Sequence, residues 1–202
     1  MKKIKTLGMV GLLLALMSAK SLKYEVGDAV ADFKLKNVDG KMVALSDYKS
    51  DKGVIVIFDC NTCPYSKAYN DRIIALNKKY APKGFPVITI NANDPQISPG
   101  DSFEAMASQA KRKNYDFPYL IDESQNVAKS FGATNTPHVF VLRKSGDKFE
   151  VAYIGTIDNN SRDASAATKK YVEDAVDALL TGKSIGTTNT KAIGCTIKWR
   201  NS

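Results

Sequence analysis

Val54-Ile55-Val56-Ile57-Phe58-Asp59-Cys60-Asn61-Thr62-Cys63-Pro64-Tyr65 joins a β-branched run, a cysteine pair and a proline in one short stretch. A continuous apolar run of this kind fits a strand buried on both faces of a parallel sheet. Downstream, Tyr65, Tyr69, Ile73, Leu76 and Tyr80 recur at helical spacing and predict a helix over 65–80. The cysteines therefore stand where a buried strand turns into a helix. A thiol there faces unsatisfied backbone N–H groups and the positive end of the helix dipole, and both favour the thiolate. Pro64 falls in the first turn, where a proline loses no hydrogen bond. Two intervening residues let the sulfurs close a disulfide. The expected roles are Cys60 as the exposed attacking thiol and Cys63, a turn further into the helix, as the thiol that resolves the mixed disulfide. Lys67 and Arg72 follow on the same helix, placed either to add positive potential or to be solvated.

Outward from this stretch, strands and helices alternate. Phe33-Lys34-Leu35 and Met42-Val43-Ala44-Leu45 flank the turn signal Asp39-Gly40 and predict an N-terminal hairpin. Val87-Ile88-Thr89-Ile90 and Val139-Phe140-Val141-Leu142 are further apolar strands, and Phe117 to Ile121 is a short one. Asp101 with Glu104 resembles a capping box ahead of the stripe Phe103, Met106, Ala107 and Ala110. Asp122 opens a short helix ending near Phe131-Gly132. Ser145-Gly146-Asp147 turns the chain into Phe149–Ile154, and Tyr171, Ala175 and Leu179 mark a last helix stopped at Gly182. The alternation argues an α/β fold with a parallel core, and the late strand pair adds an antiparallel edge.

Thr136-Pro137-His138 is the second informative stretch. A proline leading into a buried strand cannot donate to the ladder. A cis Thr136–Pro137 bond in a tight turn accounts for it and sets the Thr136 backbone beside Cys60 and Cys63, able to take an extended peptide; an ordinary trans turn is the alternative.

The chain has 202 residues, 44% of them hydrophobic and 25% charged, which excludes collagen-like, bulk-disordered and multi-span membrane classes. Lys2, Lys3 and Lys5 precede the apolar run Leu7–Met17, and Ala19-Lys20-Ser21 ends in small residues, so 1–21 reads as a secretory signal peptide. Loss of Lys2, Lys3, Lys5 and Lys20 with that segment halves the formal net charge of +8 and with it the case for nucleic acid. An oxidising compartment, periplasmic or extracellular, lets a cysteine pair form disulfides. Three cysteines and a single histidine, His138, leave no spare ligand for a zinc site, which normally takes four. A structural disulfide is the other rival to redox work.

The ordered set Phe58, Cys60-Asn61-Thr62-Cys63-Pro64-Tyr65, Lys67-Ala68-Tyr69, Arg72-Ile73, Asn91-Ala92-Asn93-Asp94-Pro95, Asp101-Ser102-Phe103-Glu104, Phe117-Pro118-Tyr119-Leu120, Thr136-Pro137-His138-Val139-Phe140 and Gly194-Cys195-Thr196-Ile197-Lys198-Trp199 resembles one group. It is the peroxiredoxin-like, thioredoxin-family redoxins of the alkyl hydroperoxide reductase/thiol-specific antioxidant superfamily. The resemblance runs over roughly 24–200. It implies a thioredoxin-like α/β fold, with a central mixed sheet flanked by helices and an N-terminal β-hairpin extension, for a single redoxin domain, 22–202, that includes the tail 183–202. It also implies a thiol–disulfide oxidoreductase with Cys60, Cys63, Thr136 and a cis Pro137 at its site. No cofactor and no metal enter this reading. The partners are protein or small-molecule disulfides and thiols, with no nucleic acid and no stable membrane association after signal cleavage.

Two alternatives stand beside it. A thiol peroxidase of the superfamily carries Pro-x-x-x-Thr-x-x-Cys around its reactive thiol. Here Cys60 lies three before Cys63, and Ile57 three before Cys60, so the hydroxyl that would bond the peroxide is missing. A Cu(I)-binding chaperone would use Cys60, Cys63 and His138, although copper-binding thioredoxin folds space their cysteines by three residues. Asp59, directly before Cys60, reads as a strand-end surface carboxylate, with a bias on proton transfer as the alternative, and the resemblance implies that the polar loop with Asp158 lies near the active face. Cys195 reads as a buried inert thiol, with a resolving role as the alternative.

Overall fold

The computed structural model describes residues 23–200, so the expected signal peptide lies outside them. Its strands and helices run β1 (Ala29–Val30), β2 (Lys34–Asn37), β3 (Met42–Ala44), β4 (Gly53–Phe58), α1 (Pro64–Tyr80), β5 (Val87–Asn91), α2 (Phe103–Lys113), β6 (Tyr119–Ile121), α3 (Asn126–Phe131), β7 (Asn135–Thr136), β8 (His138–Ser145), β9 (Lys148–Gly155), α4 (Tyr171–Leu180) and β10 (Cys195–Thr196). One sheet takes the order β1-β9-β8-β4-β5-β6-β2-β3. Within it β4, β5 and β6 run parallel and the remaining pairs are antiparallel. This is the expected thioredoxin-like mixed sheet with a β2–β3 hairpin extension, whose register pairs Leu35 with Val43.

The run that decided the fold lies at the centre. Val54, Ile55, Val56, Ile57 and Phe58 are all fully buried. Alternate side chains go to opposite faces because strand side chains have a period of two. Val54, Val56 and Phe58 pack with Ile88, Phe131 and Phe140. Ile55 and Ile57 pack with Tyr69 and Ile73 of α1 and Val172 and Val176 of α4. Such burial contributes about 1.5–3 kcal/mol per side chain, and it fixes the C-terminal end of β4, where the cysteines begin.

Three features differ from the sequence reading. The two-residue β1 pairs outside β9, so β9 is not the sheet edge. Helix α2 is capped by Ser102, whose side chain accepts from the Ala105 N–H at 3.3 Å. Asp101, expected in that cap, is buried one residue earlier in a 3-10 turn and bonds elsewhere. The tail also forms a strand: β10 pairs antiparallel with β7, with Cys195 opposite Thr136. Ile197 beyond it is buried in the core beside Phe131 and Phe140, as the apolar end of the tail required.

Candidate active site

The cysteine pair lies where expected, between β4 and α1. Cys63, not Cys60, is the N-cap of α1, with Pro64 as the first helical residue. Cys60 lies before the helix, and both cysteines are buried, so neither is the exposed thiol the sequence predicts. The Cys63 sulfur is held well below an ordinary thiol value. The first cause is a hydrogen bond from the Cys60 thiol, joined by the Cys195 thiol and the Ser66 and Cys195 N–H groups, all acting against burial. Cys60, as the donor to Cys63 and buried as well, is pushed far up. The positive end of the α1 dipole acts most directly on Cys63, the residue at that terminus.

The loop before β8 closes over both sulfurs. The Thr136–Pro137 peptide is cis, as expected. The Cys60 Sγ lies 3.1 Å from Thr136 Oγ1. Cys63 Sγ lies 3.2 Å from the Thr136 carbonyl, which accepts from it when the thiol is protonated. His138 is buried, and burial pushes its imidazole down to about 4. Its Nδ1 accepts from the Thr134 N–H at 3.3 Å, so the ring serves its own turn. Among the described residues, no three His, Cys, Asp or Glu side chains gather as a metal ion needs.

Asn61 and Thr62, between the cysteines, are anchored by a carboxylate that the sequence reading placed in a helix cap. Asp101 Oδ1 accepts from the Asn61 N–H at 2.6 Å. Its Oδ2 accepts from Thr62 Oγ1 at 2.7 Å, Ser98 Oγ at 2.6 Å and Asn93 Nδ2 at 2.9 Å. Burial alone would raise this carboxyl, but the hydrogen bonds outweigh it and hold the group below the usual carboxylate range. The motif loop is thus a rigid shelf tied to the loop 93–101. Only its polar, breaker-rich composition hinted at such a role.

Asp59 is also placed differently. It is 3% exposed rather than on the surface, and its Oδ1 has no hydrogen-bond partner among the described residues. Burial pushes its carboxyl up to about 7, against lowering hydrogen bonds from Ser66 and Cys60. The unfolded carboxyl titrates near 3.9. Between about pH 4 and 7 the folded chain therefore keeps a proton that the unfolded chain has released, and stability falls as pH rises through that window. Asp59→Asn should flatten this slope and add about 2–3 kcal/mol at pH 8. Urea unfolding at pH 5 and pH 8 measures it, and an unchanged slope would refute it.

Arg72 does not face the thiols. It pairs with Asp158 at 2.6 Å, donates to the Asn160 carbonyl at 2.6 Å and stacks 4.0 Å from the Tyr69 ring. Asp158 thereby acquires a partner and the loop after β9 is pinned to α1.

The chain has counterparts among known proteins. Residues 26–147 match the AhpC/TSA family. The thiol-disulfide oxidoreductase ResA of Bacillus cereus is 29% identical over 131 residues, 63% of this chain and 69% of that protein. An uncharacterized conserved protein from Geobacillus kaustophilus superposes with a TM-score of 0.82 at 36% identity, over 89% of this chain and 94% of its own. The pneumococcal exposed lipoprotein thioredoxin Etrx1 of Streptococcus pneumoniae shares the fold, with a TM-score of 0.55 at 24% identity over 75% of this chain and 99% of its own. With more than half its length matched to the family and a thiol pair set under a cis-proline loop, the chain belongs to the AhpC/TSA family.

Proposed function

We propose that the chain is an exported thiol–disulfide oxidoreductase in which Cys63 exchanges with the partner and Cys60 resolves. The observation that carries this reading is the place of the Cys63 sulfur at the N-terminus of α1, where the Cys195 N–H donates to it at 3.3 Å. The thiolate attacks a partner disulfide; a Cys63–partner disulfide forms and the partner's other sulfur leaves as thiolate. The Cys60 thiol then loses its proton, attacks Cys63 Sγ and expels the partner's remaining sulfur. Two electrons have passed from the pair to the partner, and the pair is left as a disulfide. The reverse sequence oxidises a dithiol. Asp59, a buried carboxyl that titrates near neutrality next to Cys60 in sequence, is suited to take the Cys60 proton. Thr136 and Pro137 shape the wall above the sulfurs. Export rests on the basic head and apolar run of 1–21. Among the described residues no helix is long and apolar enough to cross a membrane.

Alkylation with iodoacetamide across a pH series, read by peptide mapping, tests the assignment. Cys63 should be labelled first, with a midpoint well below the ordinary thiol value of about 8.5. First labelling of Cys60 would overturn it.

A further inference from the structure

We propose that Cys195 is a third redox thiol, which takes Cys63 over from Cys60 and carries the disulfide to the outer side of the site. The proposal rests on the reading that Cys63 is the exchanging sulfur. Its carrier is the strand β10, which occupies the backbone edge where an extended peptide would lie. Cys195 is paired with Thr136, and its N–H donates to Cys63 Sγ at 3.3 Å. The approach is built in, because Gly194 lies so close to the cis-proline loop that a Cβ there would stand 2.1 Å from the Thr136 carbonyl oxygen. Both flanks are tied down. Thr190 donates its N–H to the Ile154 carbonyl at 2.9 Å, and Lys198 donates its N–H to Asn93 Oδ1 at 2.9 Å. Cys195 is the one cysteine of the three that is not fully buried.

The step balances without an added oxidant. Starting from the Cys60–Cys63 disulfide, Cys195 loses its proton and attacks Cys63 Sγ. The Cys63–Cys195 bond forms, the Cys60–Cys63 bond breaks, and Cys60 leaves as thiolate and takes up a proton. A partner thiolate can then attack the accessible Cys195 sulfur, expelling Cys63. Cys63 is the better leaving group of the two, because its neighbours stabilise its thiolate. A buried pair thus exchanges with a partner that need not displace β10.

The test uses the full chain carrying Cys60→Ser, with oxidised glutathione as the probe. Cys63 attacks it to give a Cys63–glutathione disulfide and one glutathione thiolate. Cys195 should then displace the second glutathione, and acid quenching with peptide mapping should find Cys63 bonded to Cys195. Adding Cys195→Ser should lengthen the life of the mixed disulfide at least about tenfold, since a tethered thiol acts at millimolar effective concentration or more. A mixed disulfide that persists equally in both chains overturns the relay and leaves the assignment of Cys63 standing. A Cys63 that neither glutathione nor iodoacetamide modifies overturns both. Cys60→Ala replaces Cys60→Ser if that variant does not fold.

Discussion

A Cys63→Ser chain should lose disulfide reduction, read with insulin as substrate, by at least about 10³-fold, while its melting temperature holds or rises. The two halves of this expectation come from one position. Cys63 is the N-cap of α1, and no side-chain hydrogen bond caps that helix. Serine is among the best N-cap residues and typically contributes about 1 kcal/mol there, so the substitution removes the thiolate without weakening the fold. Serine's hydroxyl stays protonated at neutral pH, and the donors around the sulfur cannot turn it into a nucleophile. The complementary variant keeps Cys63 alone. Cys60→Ser combined with Cys195→Ser leaves nothing to resolve the first intermediate, and Cys63–partner disulfides should accumulate on non-reducing gels. Full insulin reduction by Cys63→Ser would return the attacking role to Cys60.

Asp101→Ala should destabilise the chain by about 3–4 kcal/mol, which for a domain of this size lowers the melting temperature by roughly 10 °C. The side chain is 1% exposed and accepts from Asn61, Thr62, Ser98 and Asn93. Alanine leaves those donors buried beside an apolar stub, and an unsatisfied buried polar group costs about 1–3 kcal/mol each before relaxation. The pH dependence has the opposite sign from that of Asp59. The Asp101 carboxyl is depressed in the folded state, so its contribution is complete above about pH 4, the unfolded value, and is lost as pH falls through the lower folded value. Urea unfolding at pH 7 against pH 3 should show the gap between wild type and Asp101→Ala narrowing in acid. A loss below about 1 kcal/mol at pH 7 would show that the motif loop does not depend on this anchor.

The seating of β10 gives a further expectation. Gly194→Ala puts a methyl group into the Thr136 carbonyl, and crowding of this kind costs about 1–3 kcal/mol. Cys63 alkylation should speed up by about tenfold for each 1.4 kcal/mol by which β10 docking weakens. Stopped-flow labelling reads the rate, and an unchanged rate would show that β10 does not shield Cys63.

The residues whose roles could be read in advance are those whose chemistry is local. Val54 to Phe58 must form a buried strand whatever surrounds them, because five consecutive apolar residues need apolar cover on both faces. The two-residue spacing of Cys60 and Cys63, the first-turn Pro64 and the proline before β8 likewise carry their meaning in the chain itself. Asp59 and Asp101 were misplaced for the opposite reason. Nothing near a carboxylate in sequence shows whether it will meet solvent or a ring of buried donors. Asp101 is tied to Asn61 across 40 positions, a partnership only folding creates.

By itself, then, the sequence determined the α/β order, the strand-to-helix setting of the cysteine pair and the presence of a proline wall beside it, since hydrophobic period, helix-start chemistry and proline geometry act over a few residues. The tertiary structure decided which groups stand against the Cys63 sulfur. The Cys195 N–H donates to Cys63 Sγ at 3.3 Å, and Cys195 reaches it across 132 residues by pairing β10 with β7. The charge state of a thiol depends on the donors within a few ångströms, and those donors become neighbours only when the tail closes over the site.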